Sequence, residues 1–163
     1  MRYLSLLLIL GLSLTSCGED TAAAEKAAMD AARAAQQTAY DAMMEGHDRV
    51  MPLMGKITAA QRSIKEALNG EELEASKKDV LEAAYEQLED ANDGMMEWMQ
   101  NLKPLDELRE KMDNDAIITY IREEAGDIAK VESSMNAALG AAANLVENHE
   151  HSQEGGDHSG HSH

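Results

Sequence analysis

The side chains best suited to chemistry in this sequence are methionine thioethers and a histidine, concentrated in two short stretches. GHDRVMPLMG, residues 46–55, holds one histidine and two methionines, and GMMEWM, residues 94–99, holds three methionines and the chain's single tryptophan. Of eleven methionines, seven lie within residues 43–54 and 95–99. Thioethers are soft, neutral ligands that prefer Cu(I), and imidazole also binds copper readily. The two stretches together therefore indicate a site for a soft monovalent ion, Cu(I) or Ag(I).

The predicted ligands of this ion are thioethers and one imidazole: Met44, His47, Met51, Met95 and Met99. Supporting side chains around them are Met43, Met54, Met96 and Trp98. A ring face of Trp98 over Cu(I) would add a cation–π interaction of about 0.5–2 kcal/mol. Asp48 could orient His47 by folding back, although adjacent residues of a helix do not normally face each other.

The same residues have a second interpretation, as ordinary core packing. Methionine is flexible and fills gaps, and the chain contains no phenylalanine. Trp98 with Met95 and Met99 would then form a sulfur–aromatic cluster. His47 would be a side chain that finds one hydrogen bond, for example with Asp93. Both interpretations remain open at the level of sequence.

Pro52 interrupts GHDRVMPLMG in the middle of a helical pattern. It lacks an N–H donor and leaves the carbonyl of Asp48 without its usual partner, which predicts a bent or broken helix. Gly46 and Gly55 are expected to loosen the helix on either side. A kink of this kind serves packing alone or shapes a ligand site.

The C-terminal segment 148–163, NHEHSQEGGDHSGHSH, is rich in glycine, serine and histidine and predicts a disordered tail. Its five histidines are His149, His151, His158, His161 and His163. Imidazoles in flexible chain would capture Cu(II), Zn²⁺ or Ni²⁺ with modest selectivity. The alternative is a solvated tail that responds to pH.

Three amphipathic helices are predicted to position these groups. The first spans residues 21–68, the second 71–102 and the third begins at 114, while residues 104–114 form a connector with room for a helical turn. On the first helix the predicted apolar face is Tyr40, Met44, His47, Met51, Met54, Ile57, Gln61, Ile64 and Leu68. On the second it is Leu81, Ala84, Leu88, Ala91, Met95, Trp98 and Leu102. On the third it is Ile118, Ile121, Ile128, Val131, Met135, Leu139, Ala142 and Leu145.

These spacings predict an all-α fold, an antiparallel up-down-up three-helix bundle over residues 39–147. Residues 17–38 are expected to be a linker or an alanine-rich helical stalk. With the first turn centred near residue 70, His47 is expected level with about Asp93. Met43, Met44 and His47 would then meet residues 94–99 across one seam.

The N-terminal stretch predicts export and lipid anchoring. Residues 1–16 read as a signal peptide, and LTSC, residues 14–17, resembles the lipobox of bacterial lipoproteins. That resemblance implies a diacylglycerol on Cys17 and permanent attachment to a membrane through several acyl chains. Gly18 stands where enteric lipoproteins retained at the inner membrane carry aspartate, which favours the outer membrane, on its periplasmic face or at the cell surface.

Composition excludes several classes of function. A formal charge of −17 repels nucleic acid and anionic headgroups, so neither is an expected partner. Cys17 is the only cysteine, so no disulfide can form within the chain. The bundle lacks a catalytic triad pattern or a phosphate-binding glycine loop, and we expect no enzyme. A protein partner is not identifiable from these residues.

The segments HDRVMPLMG (47–55) and DANDGMMEWM (90–99) together resemble a family of small bacterial lipoproteins of unknown function, often labelled "viral A-type inclusion protein". The likeness covers residues 40–135. Its first motif marks His47, Asp48, Val50, Met51, Pro52, Met54 and Gly55, and its second marks Asp93, Met95, Met96, Trp98 and Met99. The family implies helices and two motifs that occur together, but no mechanism.

The sequence thus predicts a non-enzymatic, membrane-anchored helical lipoprotein that binds Cu(I) or Ag(I) between its first two helices, with auxiliary metal capture by the tail. The alternative is a structural or protein-interaction lipoprotein in which the same cluster is only core packing.

Overall fold

The computed structural model describes residues 18–70 and 73–154, with side chains for residues 20–70 and 73–145. Four helices account for nearly all of them: α1 (Gly18–Leu68), α2 (Ala75–Asn101), α3 (Leu105–Lys111) and α4 (Asn114–Glu154). The described ranges contain no strand, so the all-α prediction is confirmed. Within them, no helix combines the length and apolar character needed to cross a membrane.

The chain divides into two units, with the boundary between Ala35 and Gln36 inside α1. The described part of the first unit is helical and largely exposed. Its surface carries an ion pair between Lys26 and Asp30, 2.7 Å apart and four residues apart in sequence. The alanine-rich segment therefore forms helix, and its role as a linker or a stalk stays a prediction.

In the second unit, α2 buries the face that its sequence predicts. Leu81, Ala84, Leu88, Ala91, Met95 and Trp98 are all buried. Leu102 lies just beyond the helix and is partly buried against the same core. The stripe recurs every three or four residues, and polar residues flank Leu88 and Ala91 on both sides, which indicates this face as the inner one.

On α1 the predicted face is wrong by one residue over its first half. Met43, Val50 and Leu53 are buried, whereas their neighbours Met44 and Met54 are only partly buried and Met51 is exposed. From Ile57 onward, prediction and structure agree at Ile57 and Ile64. The same slip occurs on α4, where Ile117 is buried and Ile118 is only partly so.

Gly46 explains why the buried face of α1 lies where it does. A Cβ atom at this position would sit 3.0 Å from Cγ2 of Ile128 on α4, so the glycine lets the two helices approach closely. Gly55 has no neighbour within 4 Å of such a Cβ. Gly46 therefore has a packing role that was not predicted, whereas the expectation that both glycines loosen the helix stays a prediction.

Pro52 does not break α1, because helix continues from Gly18 to Leu68 through it. The side chains of Pro52 and Asp48 are both exposed. Water can therefore hydrogen-bond the carbonyl of Asp48, which the proline leaves without its intrahelical donor.

The helix boundaries depart from prediction at two points. α2 begins at Ala75, four residues later than expected, because the link after Leu68 is longer than a tight turn. α4 reaches Glu154, past the tail boundary drawn at residue 148. Its backbone therefore includes His149 and His151, while His158, His161 and His163 lie outside the described residues.

α3 occupies the predicted connector and is tied to its neighbours by polar contacts. Acidic residues in its first turn and basic residues in its last complement the helix dipole. Arg109 Nε donates to the buried Gln36 side chain at 3.0 Å. Gln36 Nε2 in turn donates to Asn114 Oδ1 at 3.1 Å, which links α1, α3 and the start of α4.

Two tyrosines hold the chain where α2 ends. Tyr40 donates its hydroxyl to the Lys103 carbonyl at 3.2 Å, and the Lys103 N–H donates to the Tyr120 hydroxyl at 2.9 Å. Burial raises the pKa of both phenols, and nearby Glu124 raises them further.

Candidate functional site

His47 lies on the flank of α1 that faces α2, and two groups fix its ring. Its Nδ1 is 3.0 Å from Asp48 Oδ1, so the predicted fold-back of Asp48 occurs although the residues are adjacent. Its ring centroid is 5.9 Å from that of Trp98, with the planes inclined at 31°. The side chain is 20% exposed, which leaves it reachable from solvent.

The hydrogen bond to Asp48 sets the tautomer of His47. A carboxylate accepts, so Nδ1 carries the proton, and in the neutral imidazole this leaves the lone pair on Nε2. Among the described residues, nothing forms a hydrogen bond with Nε2. A carboxylate on one ring nitrogen with the other left open is the usual arrangement of a metal-binding histidine.

The residue opposite His47 is Trp98, and the prediction of Asp93 is wrong. The difference is five residues along α2, about 7.5 Å. This difference follows from the longer link after Leu68. Because α2 starts four residues later than expected, each α1 residue lies opposite a later residue of α2.

The seven clustered methionines divide by burial into three groups. Met43 and Met95 are fully buried in the core, and Met44, Met54 and Met99 are partly buried against it. Met51 and Met96 are 40% and 39% exposed. Met95, a predicted ligand, is thus a core side chain, whereas Met96, predicted as support, is open to solvent.

The α1 side of the groove between α1 and α2 can be followed by helical spacing. Lys65 and Leu68 line this groove near the helix ends. His47 precedes Lys65 by five helical turns and Met51 precedes it by about four, which places both on the same side of α1. Met44, two turns before Met51, lies there too.

Helical spacing also indicates which residues of α2 lie on this groove. Tyr85 and Glu89 line the groove opposite Lys65, whose Nζ lies 4.9 Å from the Tyr85 ring centroid. Met96 follows Glu89 by about two turns, and Met99 follows Tyr85 by about four. Helical spacing therefore predicts that His47, Met44, Met51, Met96 and Met99 lie along one groove, while Met43 and Met95 are buried in the core.

Trp98 is buried, contacts the His47 ring and also lines a cleft between α2 and α4 with Asp127 and Val131. Its indole Nε1 is buried and has no hydrogen-bond partner in the described part of the chain. Leaving such a donor unpaired costs about 1–3 kcal/mol. Residue 98 is thus a tryptophan despite that cost, and its indole contacts the His47 ring.

The surroundings of the groove are acidic. Asp48 is exposed beside His47, and Glu82, Glu86 and Glu89 line the groove near Lys65, on a chain with a formal charge of −17. Such a field raises the local concentration of cations. Nevertheless, within residues 20–70 and 73–145 no three His, Cys, Asp or Glu side chains converge as a metal cluster, so any site here depends on thioethers.

A second groove, between α1 and α4, was not anticipated. It encloses about 570 Å³ and is lined mainly by small and apolar residues, including Leu53, Ala60, Leu139 and Ala142. The position of this groove depends on which side of α1 faces α4. The sequence pattern did not resolve which side that is.

Cys17, the predicted lipidation site, lies outside the described residues. The side chains of His149 and His151 are likewise beyond the described ones. Comparison with known proteins adds no assignment, since no protein-family model, curated protein or solved structure matches the chain.

Proposed function

We propose that α1, α2 and α4 form an antiparallel up-down-up bundle whose α1–α2 groove binds Cu(I) or Ag(I). Two contacts support the direction of the first pair, because His47 meets Trp98 whereas Lys65, further along α1, meets Tyr85, earlier on α2. α4 contacts α1 through Arg49 and Glu132 at 3.4 Å. It contacts α2 through a cleft that includes Asp90 and Ser134.

The observation that carries the metal proposal is the state of His47. Its Nδ1 is hydrogen-bonded to Asp48, its ring contacts Trp98, and its side chain is 20% exposed at the level where spacing predicts four methionines. The proposed ligands are His47 with thioethers from Met51, Met96, Met99 and Met44. Met95 is left to the core, and Met96 takes its place in the set.

Trp98 supports the same proposal. An unpaired buried N–H makes indole a poor choice for simple space filling, since an apolar ring would avoid the desolvation cost. Indole is also the strongest cation–π partner among the aromatic side chains. A monovalent ion held by His47 would lie near its ring face, where that property stabilises the ion.

The protein is proposed to act at a membrane without catalysing a reaction. LTSC at residues 14–17 supports an acyl anchor on Cys17, and Gly18 after it supports the outer membrane. The histidines of the tail are proposed as a separate, less selective site for Cu(II) or Zn²⁺. A buffer or carrier for copper is the role that fits an anchored, acidic, thioether-lined domain.

A second candidate function is protein interaction, favoured by the exposure of Met51 and Met96. Exposed methionines adapt to varied apolar surfaces and are common at promiscuous binding sites. In that case the groove would dock a partner side chain, and His47 would contribute a hydrogen bond rather than a metal bond.

Competition for Cu(I) against a chromophoric chelator distinguishes these functions. The full chain in detergent, with its five tail histidines replaced by serine, is titrated under reducing conditions. We expect one Cu(I) per chain. His47→Leu should weaken binding by at least the roughly 10–100-fold that loss of even an outer-shell partner causes.

Met112→Leu is the matched control, because Met112 is 37% exposed but lies outside the groove. It should leave the affinity unchanged. If the parent chain does not compete with the chelator while its helical circular dichroism persists, the metal proposal is wrong and the interaction function takes its place.

A further inference from the structure

We infer that this site is an exchange site: it passes Cu(I) directly to an acceptor that presents thioether or thiolate ligands, without first releasing the ion to water. The inference rests on the proposed function and concerns how the ion leaves. Its basis is the unequal burial of the methionines, with two of them at the surface of the groove and the others partly or fully covered.

Met51 and Met96 lie at the same stretch of the groove. Met51 is four residues from His47 in the direction of Lys65, and Met96 is two residues from Trp98 in the direction of Tyr85. The two are therefore level within about one helical turn, ~5 Å. They are 40% and 39% exposed, so an ion held between them has protein on one side and solvent on the other.

A storage site for the same ion would be built differently. The core directly beneath contains Met43 and Met95, both fully buried, and an ion enclosed there would be released only when the helices part. The groove instead sets its open imidazole, 20% exposed, beside the two exposed thioethers. An approaching ligand can thus reach the ion without separation of α1 from α2.

The exchange step requires no other reactant than the acceptor. A donor atom of the acceptor, which is sulfur in a protein acceptor and nitrogen in a chelator, forms a bond to Cu(I) as the Met51 and Met96 thioethers leave it. Further donor atoms of the acceptor then displace His47 and the remaining thioethers, which stay on the protein. The copper remains Cu(I) throughout, so no electron is transferred. Thioethers are neutral when bound and when free, so no proton moves with them.

The order of the transfer reaction tests this inference. The full chain with serine in place of the tail histidines is loaded with Cu(I), and stopped flow follows transfer to increasing concentrations of a chromophoric chelator. Direct exchange predicts a rate proportional to chelator concentration over the whole range. If the ion is first released to water, the rate becomes independent of chelator concentration, and that result would overturn the inference.

Single variants identify which thioether ligands the acceptor displaces first. Met51→Leu and Met96→Leu each remove one of the bonds to be exchanged, so each should raise the second-order rate constant several-fold. Met112→Leu should leave it unchanged. Equal rates in all three variants would contradict the inference even if the parent reaction were second order.

The two proposals fail differently in this experiment. A chain that holds no stoichiometric Cu(I) before mixing overturns both the metal site and the exchange. A chain that holds one Cu(I) but releases it at a rate independent of chelator overturns the exchange alone.

Discussion

Replacing Gly46 by alanine tests the close packing that positions GHDRVMPLMG. The added Cβ would lie 3.0 Å from Cγ2 of Ile128, whereas carbon atoms in good contact are about 3.5–4.0 Å apart. Ile128 is buried and branched at Cβ, so it has little rotational freedom to move away. Overpacking of this kind costs about 1–3 kcal/mol.

Gly55→Ala is the internal control for this experiment. Alanine is favoured over glycine in a helix interior by about 0.8–1 kcal/mol, and at Gly55 no clash opposes that gain because nothing beyond the adjacent helix backbone lies within 4 Å of the new Cβ. The same gain at Gly46 is offset by the clash. The free energies of unfolding of the two variants should therefore differ by about 1–3 kcal/mol.

Urea denaturation followed by circular dichroism measures this difference. Gly55→Ala should move the midpoint upward, and Gly46→Ala should leave it unchanged or lower it. If Gly46→Ala stabilises the protein as much as Gly55→Ala does, α1 and α4 are not in close contact at this level. The placement of the buried face of α1, and of His47 beside it, would then be incorrect.

Three further predictions concern the site, the pH response and the anchor. Met95→Leu is a nearly volume-conserving core change that should cost under about 1.5 kcal/mol of unfolding free energy and leave the Cu(I) affinity unchanged. Met96→Leu should weaken Cu(I) binding and leave the unfolding free energy unchanged, as measured by the same denaturation and competition assays. Because burial raises the pKa of Tyr40, stability should be fully present below about pH 10 and fall as the pH rises through the folded pKa. Melting temperatures from pH 7 to 11 should thus decline less steeply in Tyr40→Phe, and an equal slope would contradict this account. Cys17→Ser should move the protein from the membrane to the soluble fraction after cell fractionation, and retention in the membrane would exclude acylation as its anchor.

The sequence predicted α2 more accurately than α1 for a physical reason. In the middle of α2 the buried residues Leu88 and Ala91 each have polar residues on both sides, so one apolar stripe stands out there. On α1 the buried residues Met43, Val50 and Leu53 are each followed directly by a methionine. This creates two apolar stripes one residue apart, and periodicity cannot decide between them.

The candidate site was predictable in composition but not in arrangement. The clustering of methionine around His47 and Trp98 is visible in the sequence. Which thioethers reach solvent depends on the rotation of α1, and that rotation depends on Gly46 meeting Ile128. The level at which His47 meets α2 depends on the length of the link after Leu68, which turn signals alone placed too early.

X-ray absorption at the copper edge tests the metal site most directly, because it identifies the atoms bound to the ion. With serine in place of the tail histidines, the Cu(I)-loaded chain should show sulfur scatterers together with one imidazole nitrogen. The sulfur contribution should fall in the Met51→Leu, Met96→Leu double variant and persist in Met112→Leu. A spectrum with nitrogen and oxygen scatterers alone would contradict the account and leave the groove as a protein-binding surface.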